Sequence, residues 1–340
     1  MKRFISALFC IAFLILTVVP QSFAASDLVE VSQNKPFYMT VLGDSIAAGY
    51  GLEGYEKDPC YTCKSYGNIL AEKYELSSDN TYHNYAVSGA TSSDLIKLIE
   101  DKKYQPYIKN SDLIIISIGG NDMLHVFYNA ISEAFGASLE DIKSVEDLKS
   151  EINLMTLKTL SDSLTKNMPI ALEQFDSNMD TILSKLKALN PNGLVIVQTI
   201  YNPFESFEEI ELLQSLSKDT ISDFNKVIID NATNDKGEKA YIVSDVAKSF
   251  DGKAKELTNI NGFDIHPNAK GHEEIARLLD EEISTHTFTS WIIDTSADND
   301  SSGVDPEKAR WRNVMAGFFI MLLVAVAMIG IVFIKKMKEL

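Results

Sequence analysis

The sequence predicts an α/β protein built on a doubly wound, five-stranded parallel sheet. Five short runs of apolar and β-branched residues recur along the chain, each halted by a cluster of Gly, Asn, Asp, Ser or Pro. Helical patterns fill the intervals between them. The runs are continuous rather than alternating, which suits parallel strands covered on both faces. Strand and helix in alternation argue one sheet under one core.

The first run, Phe37 to Leu42, stops at Gly43-Asp44-Ser45. A helical stretch over residues 65–76 leads to Tyr82–Val87, halted by Ser88-Gly89. A second helix over 92–100 precedes Leu113–Ile118, which ends in Gly119-Gly120-Asn121-Asp122. Leu194–Ile200 enters through Asn190-Pro191-Asn192-Gly193 and leaves through Asn202-Pro203. Helices over 206–230 and 268–285 flank the fifth run, Ala240–Val243. The crossover after the third strand, about 123–189, is longer than one connecting helix requires. Within it Leu160, Leu164, Met168, Ala171, Phe175, Met179, Ile182, Leu186 and Leu189 recur at spacings of three and four, the stripe of an amphipathic helix. Pro169 is expected to break or kink that helix. Part of this helical insertion must connect two strands; the remainder is either a lid over one edge of the sheet or a plain structural insertion.

The two ends read differently from the middle. Lys2 and Arg3 precede an apolar run from Phe4 to Val19, then Pro20 and Ser22-x-Ala24, which predicts a signal peptide over 1–24 cut after Ala24. Residues 286–313 form an acidic, polar stalk. Val314 to Ile334 carries no charge and at helical rise spans about 31 Å, enough for a bilayer core of about 30 Å. The expectation is a folded domain over 37–285 outside the cell, held in the cell membrane by one C-terminal transmembrane helix, with 335–340 as a cytoplasmic tail. The net charge of −17 repels nucleic acid and anionic headgroups, so no nucleic-acid partner is expected. That acidity also serves solubility.

The residues just past the strands carry the chemistry, because open α/β sheets bind ligands at the carboxyl ends of their strands. Ser45 follows the first strand, Gly89 the second and Asn121 the third. Asp264 and His266 stand in Asp-Ile-His-Pro, ahead of the last helix. A serine hydroxyl becomes a useful nucleophile when a base takes its proton. His266 suits that task, and a carboxylate can fix its tautomer. The Ser45 and Gly89 backbone N–H groups and the Asn121 amide can hold the developing oxyanion. Asp245, past the fifth strand, is the other carboxylate in play for the histidine. No cofactor and no metal are expected: no set of His, Cys and carboxylates has ligand spacing, and no glycine-rich phosphate loop follows the first strand. Cys60 and Cys63, in Cys-Tyr-Thr-Cys, are expected to form a local disulfide in an exported protein. His83 and His286 are expected to be structural or solvated, His125 to sit on a helix surface or else line the acyl pocket, His272 to be exposed, and Asp44 to bond local backbone.

Val41-Leu42-Gly43-Asp44-Ser45, Asn84-Tyr85-Ala86-Val87-Ser88-Gly89-Ala90-Thr91, Gly119-Gly120-Asn121-Asp122 and Asp264-Ile265-His266-Pro267 resemble, in order, the four sequence blocks of the SGNH or GDSL-type serine esterases and lipases. The resemblance covers about residues 37 to 285. It implies a flavodoxin-like three-layer α/β/α fold, Ser45 as nucleophile, Gly89 and Asn121 in the oxyanion hole, and Asp264 with its Asp-x-His spacing as partner of His266. Asn202-Pro203-Phe204 looks like the secreted lipase/acylhydrolase branch of Gram-positive bacteria. The first block departs from the family in reading Gly-Asp-Ser-Ile. Two substrate classes follow. One is a small or lipid-like ester, for which the stripe with Phe175 and its methionines would wall an acyl chain unless packing consumes it. The other is an O-acetyl group on wall or extracellular polysaccharide. A non-catalytic surface binding module is the reading from a different class.

Overall fold

In the computed structural model the described residues are 28–136, 153–206, 211–233, 237, 239–262 and 264–293. The expected signal peptide (1–24), part of the long crossover (137–152), most of the expected stalk (294–313), the expected transmembrane helix (314–334) and the expected tail (335–340) lie outside them. Among the described residues no helix is long and apolar enough to cross a membrane.

In chain order the strands are β1 Leu28–Gln33, β2 Met39–Gly43, β3 Tyr82–Asn84, β4 Leu113–Ser117, β5 Leu194–Gln198, β6 Ile242–Ser244 and β7 Phe288–Ile293. The five predicted runs become β2 to β6, all parallel, in the order β3-β2-β4-β5-β6. Counted within this sheet that is the 2-1-3-4-5 order of flavodoxin-like folds, whose strand order reverses beside the first strand. The crevice therefore opens at the carboxyl ends of β2 and β4, where Gly43 pairs with Ser117.

The helices are α1 Ser45–Ala48, α2 Tyr66–Lys73, α3 Ser92–Glu100, α4 Gln105–Asn110, α5 Gly120–Phe135, α6 Leu154–Leu189, α7 Glu211–Asp230, α8 Val246–Phe250, α9 Ala254–Leu257 and α10 Ala269–Ser284. They cover both faces of the sheet. On β4, Ile114 and Ile116 enter a core with α3, α4, α5, α6 and α7, whereas Leu113 and Ile115 enter a second core with α1, α2, α8 and α10. Period-two alternation with both faces buried is why the run reads as unbroken apolar sequence.

Several expectations are corrected. β3 ends three residues early because Asn84 turns inward, its amide donating to Ala47 O at 2.8 Å and its Oδ1 accepting from Ala86 N at 2.9 Å. β5 ends at Gln198; two residues on, the Asn225 side chain takes the Ile200 N–H at 2.7 Å in place of a neighbouring strand. Pro169 lies within α6 without ending it. It sits on the exposed side of the helix, as does Thr165, whose carbonyl it cannot bond. Phe175, Met179, Ile182 and Leu186 are buried against the sheet, so this half of α6 is the connecting helix and packing consumes its apolar stripe. The stretch read as the start of the stalk contains β7, which pairs with β1 as a separate two-stranded sheet. His272, expected exposed, is fully buried; its Nδ1 accepts the Tyr66 N–H at 3.2 Å.

Candidate active site

β2 reaches the crevice through Gly43, whose φ of +139° and close approach to β4 exclude a side chain: a Cβ here would stand 2.0 Å from Ser117 O. Asp44 then caps α1, its Oδ1 accepting from Ile46 N at 3.1 Å and from Ser117 Oγ at 3.3 Å. The Ile46 bond is the local backbone contact expected of it; Ser117 of β4 is a partner not foreseen from the sequence. Burial pushes its carboxyl up to about 6, against those hydrogen bonds and the charge of His266. The capped turn presents Ser45 as the first residue of α1, 9% exposed, at the mouth of the crevice.

His266 arrives from the other side of the sequence. Its Nε2 lies 2.8 Å from Ser45 Oγ. Its Nδ1 is hydrogen-bonded to Asp264 Oδ1, which also accepts the His266 backbone N–H at 3.0 Å. Burial raises the Asp264 carboxyl, but the bonds and charge from His266 and the Asn259 amide outweigh it and hold the group below the ordinary carboxylate value. The loop carrying the pair is pinned by Asn259 N to His266 O at 2.9 Å and by Tyr201 Oη to Ile265 O at 2.6 Å. Asp245 is elsewhere: it caps α8 through Lys248 N and accepts from Thr199 Oγ1.

Asn121, in the first turn of α5, lines the same pocket as Ser45 and His266. Its Nδ2 donates to Ala90 O at 3.0 Å, tying the turn after β4 to the loop after β3 that contains Gly89. Gly89 is exposed, with φ +80°. The loop is held at Val87, whose N–H donates to Gly43 O at 3.0 Å. Next to Asn121, the Asp122 carboxylate accepts from Ser92 N at 2.9 Å and from Ser92 Oγ, and Asn178 of α6 donates to Ser92 Oγ at 2.8 Å. Cys60 and Cys63 are buried together with Cα atoms 5.8 Å apart, beside the loop that follows α1.

The pocket beside Ser45 is apolar. Ile46, Met123, Leu124, Ile200, Pro203, Phe204 and Ile265 line it with Asn121 and His266. Phe175 and Met179 do not take part; the wall comes from α5 and the turn after β5 instead. Sequence reasoning also missed Tyr50, whose ring packs on His266 at 4.6 Å between centroids, and Asn259 and Tyr201, which fix the histidine loop. Nothing in the local sequence marks these three. Among the described residues no group of three or more His, Cys, Asp or Glu side chains is placed to hold a metal ion.

The GDSL-like lipase/acylhydrolase family matches residues 41–274. The Bacillus subtilis protein YpmR is 24% identical over 258 residues, 75% of this chain and 84% of its own. The spore germination lipase LipC of Bacillus licheniformis is 25% identical over 243 residues, 71% of this chain and 93% of its own. Among solved structures, an extracellular lipase of Streptomyces rimosus superposes with a TM-score of 0.50 at 18% identity, over 72% of this chain and 98% of that one. A family match that starts in β2 and runs into α10 takes in every segment meeting at the crevice. This chain therefore belongs to the GDSL-like lipase/acylhydrolase family and is a carboxylic ester hydrolase.

Proposed function

We propose that the chain hydrolyses esters of aliphatic acyl groups through a covalent acyl-enzyme on Ser45. The observation that carries this reading is the unbroken line Ser45 Oγ, His266 Nε2, His266 Nδ1, Asp264 Oδ1. His266 takes the Ser45 proton as Oγ attacks the ester carbonyl, and Asp264 stabilises the imidazolium. The Ser45 and Gly89 N–H groups and the Asn121 amide stabilise the oxyanion. His266 returns the proton to the leaving alcohol. Water then repeats the cycle on the acyl-enzyme. The Cys60–Cys63 pair acts as a local disulfide bracing the loop after α1.

The apolar lining supports an acyl chain over an acetyl group, since each buried methylene contributes about 0.8 kcal/mol. The lipase name of the LipC relative supports the same class. The place of action we propose is the outer face of the cell membrane, with 314–334 as the tether.

The test is hydrolysis of p-nitrophenyl esters from acetate to dodecanoate by the wild type, Ser45→Ala and His266→Ala. Each variant should lose at least about 10³-fold in kcat while retaining its circular dichroism, and wild-type kcat/KM should climb with chain length before levelling. Wild-type turnover by Ser45→Ala would remove the nucleophile. A maximum at acetate would favour polysaccharide O-acetyl groups instead.

A further inference from the structure

Gly89 is the least supported member of the proposed site. It is exposed, and apart from its chain neighbours no heavy atom lies within 4 Å of where its Cβ would be. A backbone donor contributes to an oxyanion hole only when its direction is fixed before the reaction. What fixes it must therefore act through the neighbouring residues.

Asp58 does so from a loop that the reaction itself does not use. Its Oδ2 accepts the Ser88 N–H at 2.7 Å, and its Oδ1 accepts Ser88 Oγ at 2.8 Å. Holding both groups of one residue to one carboxylate fixes the Ser88 N–H and χ1, and the Ala90 N–H, donating to Val87 O at 3.0 Å, closes the turn around the peptide that carries the Gly89 N–H. The carboxylate is itself held: Tyr55 Oη donates to Oδ1 at 2.6 Å. The Tyr55 ring packs edge-on against Tyr50 at 5.2 Å, and Tyr50 lies on His266. The loop from Tyr50 to Asp58 thus spans from the base to the oxyanion turn. Asn121 grips the same turn from its other side, at Ala90 O.

We infer that Asp58 is a positioning residue for ester hydrolysis, holding the Ser88–Gly89 turn so that the Gly89 amide faces the oxyanion. The inference rests on the proposed site, because it assigns Asp58 a task through Gly89. Two carboxylate oxygens here accept one backbone N–H and two hydroxyls; an amide offers a single oxygen, so it keeps the Ser88 N–H only by turning its NH2 on hydroxyls that must reverse, and it loses the charge-assisted hold.

The experiment compares Asp58→Asn, Ser88→Ala and Ser45→Ala with the wild type, measuring kcat, KM and the affinity for an alkyl boronic acid, which forms a tetrahedral adduct on a reactive serine. Misplacing one donor should cost Asp58→Asn about 10- to 100-fold in kcat with KM within about 3-fold. Boronate affinity should fall in parallel, since the adduct engages the oxyanion hole as the transition state does. Ser88→Ala keeps the backbone bond and should lose about 3-fold; it also reads out the contact should Asp58→Asn fail to fold. A folded Asp58→Asn with wild-type kcat and boronate affinity would overturn the inference. So would a change confined to melting temperature, as would unaltered kcat in Ser88→Ala when Asp58→Asn does not fold. Loss of activity in Ser45→Ala alongside an unaffected Asp58→Asn would sink the positioning role alone; undiminished activity in Ser45→Ala would sink the underlying site.

Discussion

Asp44 and His272 are both buried close to the catalytic side of the sheet, and burial moves them in opposite directions. It pushes Asp44 up to about 6 from an ordinary 3.8. It pushes His272, with the charge of His266 adding, down to about 3 from 6.5. The native state therefore keeps a proton on Asp44 that the unfolded chain releases, so this contribution, complete below about pH 3.8, is lost as pH rises to about 6. His272 does the reverse: the unfolded chain gains a proton that the native state refuses, and stability is lost as pH falls from about 6.5 to about 3. Between about pH 4 and 6 the two slopes oppose each other. Asp44→Asn removes one of them. Its unfolding free energy relative to wild type should rise by about 1.4 kcal/mol per pH unit across that window. Urea denaturation at pH 4, 5 and 6 measures the difference; parallel pH profiles for the two proteins would contradict the assignment. Residues of this kind are illegible in sequence. Ser45, Asp264 and His266 are legible because each stands at the end of a strand or the start of a helix. Asp58, Tyr50 and His272 act through contacts that exist only once distant loops return to one place.

At the scale of elements, periodicity located every strand of the parallel sheet, because burial on both faces leaves an unmistakable apolar run, together with helices α2, α3, α6, α7 and α10. It did not foresee α4, α8 and α9, whose four to six residues are shorter than the period needs to declare itself. Nor did it foresee β1 and β7, each of which finds its partner at the opposite end of the domain. The long helix α6 shows how packing overrides propensity. Proline in a helix interior costs about 3 kcal/mol relative to alanine, yet α6 runs through Pro169 because Leu164 on one side and Phe175, Met179, Ile182 and Leu186 on the other are buried. Pro169→Ala should accordingly stabilise the protein by about 1–3 kcal/mol, seen as a rise of several degrees in the melting temperature, with turnover unchanged since Pro169 is exposed and does not line the pocket. A lower melting temperature would mean that the proline relieves strain in α6.

For the whole molecule, the proposed chemistry resides where the strand order reverses. β2 delivers Ser45, β4 delivers Asn121, and the loop before α10 delivers the Asp264–His266 pair to the same crevice. The apolar pocket is walled by α5 and the turn after β5, and the loop carrying Tyr50 and Asp58 packs on His266 and grips Ser88. A short fluorophosphonate ester reports on this arrangement most directly, because it bonds only a serine whose proton is taken by a base and whose adduct is held as an oxyanion. Intact-mass spectrometry of the treated full chain should show one adduct per molecule, peptide mapping should place it on Ser45, and His266→Ala should remain unlabelled under the same exposure. An adduct on a different serine, or full ester turnover by a chain that takes no adduct, would contradict the account.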